Sequence, residues 1–233
     1  MLPSLPPEIL SRLAASDSCS IANAVDAAGV RLANEGFCDD RITCRTPELP
    51  PMVGTVVTFK VRSADPSMKN AFYLEQPDWW ERLEAGRDAR ILAIQDIDPY
   101  PGKGSLVGPV HACILKALGF VGIVTNGAIR GHHRFHDLGL PAFSGHLSPA
   151  HAFSHVVEIG APIALAGLVL QSGDLIHGDR NGVVKIPGAI AGQVAALAEN
   201  FHDREQRLCE FCRSREFSPA ALRHRIGLDA SRH

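Results

Sequence analysis

The sequence of 233 residues predicts an α/β fold in which short buried strands alternate with helices. In the middle of the chain, apolar runs typical of buried strands alternate with stretches of helical periodicity. This order is expected when helices connect neighbouring strands of a sheet. The composition supports a globular protein, since apolar residues make up 45%, charged residues make up 21% and the formal net charge is -2.

Two helices are predicted ahead of the first strand. Residues 6–15 form the first, and a cap-type run at residues 18–20 opens a second that ends at Gly29. Val53, Thr55, Val57, Phe59 and Val61 then alternate with other residues, which predicts a strand.

The remaining elements follow from short apolar runs and from glycines that stop helices. Strands are predicted at residues 90–97, 121–125 and 141–144, and helices at residues 107–118 and 129–138. Four brief apolar runs, at 163–165, 168–170, 175–177 and 183–186, are split by Gly and Asp and predict a compact β-meander. Two helices, at 187–213 and 218–226, complete the chain.

Several classes of protein are excluded by the same sequence. No run approaches the roughly 18 to 20 apolar residues of a membrane helix, and the first residues lack the pattern of a signal peptide. We therefore expect a cytoplasmic protein without a membrane partner. Basic residues are spread along the chain, and those between 213 and 225 are expected to cover a solvated helix face rather than to bind nucleic acid.

The six cysteines are too dilute for a disulfide framework and are expected to be reduced. Cys209 and Cys212 form a CxxC, but no second pair stands at zinc-finger spacing, so they are expected to share one face of a helix.

Three motifs stand in order along the chain, and a fourth precedes them. They are GSLVGPVHACILKALG at 104–119, GIVTNGAIRG at 122–131, GDLIHGDRNGVVKIP at 173–187, and ANAVDAAGV at 22–30. From about residue 18 to residue 187 the sequence thereby resembles the RraA-like family, which includes the metal-dependent 4-hydroxy-4-methyl-2-oxoglutarate aldolases.

The resemblance implies a swivelling β/β/α-type domain with flanking N- and C-terminal helices. On this basis residues 1–233 form one domain, with a core at about 18–187 and a C-terminal helical extension at about 188–227. It also implies a homotrimer, sometimes stacked as a hexamer, with active sites in clefts between subunits.

The family's enzymes cleave 4-hydroxy-4-methyl-2-oxoglutarate or its 4-carboxy relative to pyruvate and a second oxo acid, and many decarboxylate oxaloacetate. The RraA proteins proper are not enzymes and instead bind and inhibit RNase E, so family membership alone does not establish catalysis. A methyltransferase label also occurs in this family, but the sequence lacks a glycine-rich loop for S-adenosylmethionine after an early strand.

Cleavage of a 2-oxo acid leaves a pyruvate enolate, whose negative charge an Arg or a divalent cation can hold. Arg130 stands at the position of the family's pyruvate-contacting Arg and is the candidate catalytic residue. Backbone N–H groups ahead of a helix are suited to an anion. The candidate substrate-binding residues are therefore Gly104, Ser105, Leu106, Val107 and Gly108, together with Arg130.

The metal side of the family pattern is altered in this sequence. The aldolases place a Mg²⁺ or Mn²⁺ ligand, Asp, directly after the Arg, and an acidic residue after the second glycine of the loop. Gly131 and Pro109 occupy these positions and offer no side-chain oxygen. His132 and His136 have the i,i+4 spacing of a substitute metal pair, as do His151 and His155.

Two functions therefore remain open. The first is a lyase, or a diverged lyase, that acts on a small 2-oxo acid through a pyruvate enolate. The second is a non-catalytic trimer that binds a small anion or a protein, which the loss of both acidic positions favours.

Two smaller groups of residues have structural interpretations. Asp174 and Asp179, each beside a glycine, are expected to accept hydrogen bonds within their own turns. Tyr73, Trp79 and Trp80 are expected to form an edge of the cleft or, more simply, to anchor a short helix or a subunit contact.

Overall fold

A computed structural model of the chain describes residues 5–66, 80, 83 and 89–230. Tyr73 and Trp79 lie outside these residues. Within these described ranges, nine strands form the main sheet: β1 (Thr43–Cys44), β2 (Met52–Arg62), β3 (Arg90–Asp96), β4 (Ser105–Val107), β5 (Phe120–Ile129), β6 (Ala142–Leu147), β7 (His155–Ile159), β10 (Leu175–Asp179) and β11 (Gly182–Ile186). Their order is β1-β6-β5-β3-β2-β10-β11, with β4 paired to β5 and β7 paired to β2. A separate hairpin pairs β8 (Ile163–Leu165) with β9 (Leu168–Leu170).

The helices are α1 (Pro7–Ala14), α2 (Ser18–Ala27), α3 (Pro109–Ala117), α4 (His133–Asp137), α5 (Ala191–Arg213) and α6 (Pro219–Ala230), with a 3-10 turn at Gly188–Ile190. The centre of the sheet is parallel, since β2 pairs with β3, β3 with β5, and β5 with both β6 and β4 in the same direction. The outer pairings are antiparallel. The α/β fold class predicted from the sequence is confirmed.

Both faces of the central strands are buried, and successive residues of β3 alternate between two apolar clusters. Leu92 and Ile94 pack beneath Leu115 of α3. Ile91 and Ala93 pack against the β8–β9 hairpin on the opposite face. The apolar clusters on the two faces of the sheet therefore fix the positions of the strand ends.

A third cluster joins the two ends of the chain. Helices α1, α2 and α5 pack together over β10 and β11, and their buried side chains include Leu13, Ile21, Val25, Val194, Ala198, Leu175 and Val184. On the surface of this layer, Arg12 forms a bidentate ion pair with Glu199, at 2.8 and 2.7 Å.

The region predicted as one helix from residue 107 begins instead with a strand. Val107 pairs with Ile129 in the sheet, and the helix begins only at Pro109. Proline favours the first helical position because its missing N–H would have no partner there. Long-range pairing with β5 thus takes the residues before Pro109 into the sheet.

The helix predicted at 129–138 is also shorter, because β5 continues through Ile129. The Asn-Gly pair at 126–127 does not turn the chain. Asn126 accepts a hydrogen bond from the Asp96 amide at 2.7 Å and donates one to the Asp96 carbonyl at 2.9 Å. The Asn126 side chain takes the place of two backbone hydrogen bonds between β5 and β3, and β5 continues beyond Gly127.

Two further predictions were wrong. The predicted β-meander is divided, because β8 and β9 form their own sheet while β10 and β11 join the main one. His151 and His155 do not share a helix face, since His151 lies in a loop and His155 begins β7. The β7 strand pairs with the far end of β2, and this partner is remote in sequence.

The predicted turn roles of the two aspartates are confirmed. Asp174 accepts hydrogen bonds from the Gln171 amide at 2.7 Å and from Lys185 Nζ at 2.6 Å. Asp179 accepts from the Asn181 amide at 2.8 Å, and also from the amide and hydroxyl of Ser18, at 2.9 and 2.6 Å. Asp179 therefore also fastens the start of α2 to the sheet.

All six cysteines are free, and Cys209 and Cys212 are both exposed on α5. Among the described residues, no helix combines the length and the apolar character needed to cross a bilayer.

Candidate functional site

The candidate site lies where the parallel strands end. In α/β sheets, ligands bind at the carboxyl ends of parallel strands, where the connecting loops diverge. Arg130 directly follows β5, and Gly108 directly follows β4, its parallel neighbour. The Arg130 amide donates to the Val107 carbonyl at 3.1 Å, which keeps the two strand ends side by side. The structure thereby places Arg130 beside the end of the Gly104 to Gly108 segment.

The side chain of Arg130 crosses directly over Gly108. A Cβ atom at Gly108 would lie 2.9 Å from Arg130 Nε and 3.2 Å from its Cγ, so a side chain here would require Arg130 to move. Arg130 Nε is buried and, within the described part of the chain, has no hydrogen-bond partner. Arg130 Nη2 contacts His151 Nε2.

The strand β4 changes how the predicted anion-binding amides are arranged. The Ser105 amide donates to the Ala150 carbonyl at 2.8 Å, and the Gly108 amide donates to His111 Nδ1 at 3.3 Å. Ser105, Leu106 and Val107 are buried. The Gly104 amide donates to Ser63 Oγ at 3.2 Å. At least three of the predicted donors are therefore engaged within the protein, and a role of this segment in ligand binding stays a prediction.

His111 and His151 lie near Arg130, and the pKa of each imidazole is lowered. His111 is 3% exposed at the third position of α3. Burial, and then the nearby His151 and Arg130, lower the pKa of His111 to about 3. Burial, and then Arg130, also lower the pKa of His151, although its hydrogen bond to Ser105 acts in the opposite direction. The ring centroids of Trp80 and His111 are 6.2 Å apart.

The two departures from the family's metal pattern are in direct contact. Gly131 has a φ of +62°, and a Cβ atom there would lie 2.6 Å from Pro109 Cγ and 3.1 Å from its Cδ. The proline ring therefore fills the space in which a side chain at position 131 would begin. An aspartate at 131 would meet both this ring and an unfavourable backbone conformation.

The family's metal does not fit the residues present. A hard divalent cation requires oxygen ligands, which Gly131 and Pro109 do not offer. Within the described ranges, no three His, Cys, Asp or Glu side chains converge as a metal-binding group. His132 and His136 do have helical spacing, since the His136 amide donates to the His132 carbonyl at 3.4 Å, but both side chains are exposed.

A small cavity lies beside β4. It is lined by Leu106, Val107, Asp96 and Ser63, among others, and its volume of about 10 Å³ suits a single water molecule. Arg130 is not part of its lining. The cavity is therefore too small to hold an organic acid.

The sequence did not predict a role for His151 beside Arg130. It suggested His151 only as half of a helical metal-binding pair with His155. The available signal was its place in Ser-Pro-Ala-His, immediately beyond β6, because loops at this edge of a parallel sheet meet the ends of neighbouring strands.

A profile of the RraA-like family, described as Aldolase/RraA, matches residues 19–185. The chain belongs to the RraA-like family. A putative 4-hydroxy-4-methyl-2-oxoglutarate aldolase of Halalkalibacterium halodurans is 38% identical over 84 residues, which cover 36% of this chain and 40% of that protein. The chain spans less than half the length of the curated relatives it matches.

Two solved structures share the RraA-like fold over most of the chain. An uncharacterised protein from Pseudomonas syringae has a TM-score of 0.76 and 19% identity, and the match covers 98% of this chain and 97% of that one. Streptomyces coelicolor RraAS2, described as an unusual member of the RNase ES inhibitor RraA family, has a TM-score of 0.69 and 20% identity. That match covers 88% of this chain and 98% of RraAS2. At these identities the likeness shows the fold alone.

Proposed function

We propose that this chain is a diverged RraA-like lyase that binds a small 2-oxo acid through Arg130 and stabilises the enolate of pyruvate. The observation that carries the proposal is the placement of Arg130 at the end of β5. Its guanidinium is held over Gly108, and its buried Nε has no partner among the described residues. A buried donor without a partner is costly, and a ligand oxygen would satisfy it.

The charge around Arg130 suits an anion. Because His111 and His151 are both neutral at pH 7, they add no charge, and they also do not cancel that of the guanidinium. A guanidinium forms forked, charge-assisted hydrogen bonds with carboxylates and enolates. The fork would grip the carboxylate and the ketone oxygen of a 2-oxo acid.

Oxaloacetate decarboxylation shows what such a grip would contribute. The bond between C3 and C4 breaks, carbon dioxide leaves, and the electron pair moves into the enolate of pyruvate. Hydrogen bonds from Arg130 to the enolate oxygen grow stronger as negative charge develops on it, which lowers the barrier. The enolate then takes a proton at C3 to give pyruvate.

No step of this proposal passes through a metal ion, because the residues at 109 and 131 do not provide its ligands. The homologous aldolase from Halalkalibacterium halodurans supports the lyase class, through a match that covers 40% of that protein. Among the described residues, the small cavity beside β4 does not include Arg130 in its lining. We therefore also propose that a neighbouring subunit of a homotrimer completes the site.

A second function is favoured by the contact between Pro109 and Gly131. The Pro109 ring fills the space at position 131 in which a metal-ligating side chain would begin, while Arg130 still lies over Gly108. A protein so altered would bind a small anion without cleaving it.

The test combines binding with turnover. Calorimetric titration with oxalate, an analogue of the pyruvate enolate, is carried out in EDTA, and pyruvate release from oxaloacetate is followed with Mg²⁺, Mn²⁺, Zn²⁺ or EDTA. Oxalate binding and pyruvate release should both fall at least tenfold in Arg130→Gln. They should persist in Arg134→Gln, which removes an exposed arginine of α4.

Each outcome decides between the two functions. Pyruvate release at the background rate under all four conditions, with oxalate still bound, rejects the lyase and supports the anion-binding protein. Absence of both binding and turnover in the wild-type protein rejects both.

A further inference from the structure

His151 lies between Arg130 and β4, and it contacts both. Its Nε2 contacts Arg130 Nη2, and its Nδ1 lies 3.1 Å from the Ser105 carbonyl oxygen. We propose that His151 is a positioning residue that acts as a neutral Nδ1–H imidazole and aims the Arg130 guanidinium at its carboxylate ligand. This inference rests on the proposed function.

Two contacts of His151 with described residues determine where its proton lies. A guanidinium can only donate hydrogen bonds, so Nε2 must be the accepting nitrogen. A carbonyl oxygen can only accept, so Nδ1 must carry the hydrogen. A doubly protonated ring would place an N–H against the guanidinium and lose this contact. The arrangement therefore requires one tautomer of the neutral ring.

The backbone on both sides of His151 is fixed, which makes the imidazole a rigid support. Before it, the Ala150 carbonyl accepts from the Ser105 amide at 2.8 Å. The His151 carbonyl accepts from Ser154 Oγ at 2.6 Å. After it, Ala152 has a φ of +49°, a strained value for a residue with a side chain.

The close approach of this loop to β4 depends on Gly104. A Cβ atom at Gly104 would lie only 2.3 Å from the His151 carbonyl oxygen and 2.8 Å from the Ala152 Cβ. Glycine at this position lets the loop lie directly on the strand. His151 is thereby held at a set distance from the end of β5.

A neutral acceptor suits this position better than a carboxylate. Aspartate or glutamate would also orient the guanidinium, but would form an ion pair and cancel the charge that attracts a ligand. Histidine takes one of the five guanidinium N–H donors and leaves the full positive charge in place. The support therefore fixes direction without lowering the attraction for an anion.

The first measurement does not depend on any ligand. Long-range proton–nitrogen NMR correlations on the full-length protein at pH 7 report the tautomer of each histidine, with His151→Phe used to assign the signal. We expect His151 to carry its proton on Nδ1. A proton on Nε2, or a charged ring, would overturn the inference even if the protein binds oxalate.

The second measurement reads the effect on affinity. His151→Phe keeps the ring volume but removes both nitrogens, and oxalate affinity should fall about 10-fold to 100-fold, as expected for one lost hydrogen bond to a charged group. His151→Gln offers both an acceptor and a donor and should restore most of the affinity. His155→Gln alters the next histidine along the chain, which does not contact Arg130, and should bind as the wild type does.

The failures of the two proposals are distinguishable. If the wild-type protein binds no oxalate, the proposed function fails and the purpose assigned to His151 fails with it, whereas the tautomer still reports whether the contact exists. If oxalate binds and His151→Phe binds it equally well while melting at the wild-type temperature, the positioning role is wrong and the proposed function stands. If His151→Phe unfolds, the oxalate affinity of His151→Gln decides instead. An affinity more than tenfold below that of the wild type would overturn the positioning role.

Discussion

The Pro109 ring fills the space that a side chain at Gly131 would need, since Pro109 Cγ lies only 2.6 Å from the position of a Cβ atom there. They lie in different loops, one after β4 and the other after β5. Substitutions at positions 109 and 131 should therefore change the free energy of unfolding non-additively.

Gly131→Asp alone should lower the free energy of unfolding by about 2 to 4 kcal/mol, from the left-handed backbone and the overlap with Pro109. Adding Pro109→Glu should recover about half of this loss, since the ring is removed and an acidic residue suits the first turn of α3. Urea denaturation of the single and double variants measures the coupling.

Gly119→Asp is the matched control. Gly119 has a φ of +80°, but a Cβ atom there would meet no atom within 4 Å. Its substitution should therefore cost only the backbone term, about 1 to 2 kcal/mol. Equal losses at positions 119 and 131 would show that the contact with Pro109 is unimportant.

The double variant Pro109→Glu with Gly131→Asp should gain affinity for Mn²⁺. Two carboxylates at adjacent loop ends supply the oxygen ligands that the wild-type chain lacks at this place. Calorimetric titration should show a dissociation constant at least tenfold lower than for wild type. The uncharged counterpart, Pro109→Gln with Gly131→Asn, should show no gain, and an equal gain there would contradict a carboxylate site.

His111→Gln should flatten the dependence of stability on pH. The folded-state pKa of His111 is about 3, below its ordinary value of 6.5. Between these values the unfolded chain binds a proton that the folded chain does not, so stability is present above pH 6.5 and is lost as the pH falls. Wild type should lose about 2 kcal/mol more than the variant between pH 7 and pH 5.

Glutamine is a suitable replacement because its oxygen can accept the Gly108 amide hydrogen bond without titrating. The folded and unfolded states are compared by chemical denaturation at several pH values. Parallel curves for the two proteins would mean that the fold does not lower the pKa of His111.

Gly104→Ala should separate the His151 loop from β4. The added methyl would overlap the His151 carbonyl and the Ala152 methyl, which should lower stability by about 1 to 3 kcal/mol and weaken oxalate binding. Gly192→Ala in α5 serves as the control, because its Cβ would lie at an ordinary 3.4 Å from Ile9. Thermal unfolding and calorimetry of both variants test this, and unchanged oxalate affinity in Gly104→Ala would contradict the link.

The sequence predicts best the elements whose pattern is local. The helices α1 and α2 and the strands β2 and β3 appear within a few residues of their expected bounds, because their apolar spacing repeats within one segment. The strands β4 and β7 escape prediction, since each is short and is defined by a partner far away in the chain. Asn126 shows the same limit, because its turn-forming tendency is overridden by two hydrogen bonds to Asp96.

The candidate site divides in the same way. The position of Arg130 beside Gly108 follows from motifs that can be read directly in the sequence. The contact of Arg130 with His151 joins residues 21 positions apart through a loop whose path depends on Gly104 and on a left-handed Ala152. No periodicity in the sequence encodes that path.

The fit of the Pro109 ring against Gly131 has a consequence for how this site can be altered by mutation. Aspartate introduced at position 131 alone would be penalised in folding before it could act as a ligand. Replacement of Pro109 alone would remove the overlap but would leave position 131 without a side-chain oxygen. The order of the two substitutions therefore matters, and the change at position 109 has to come first.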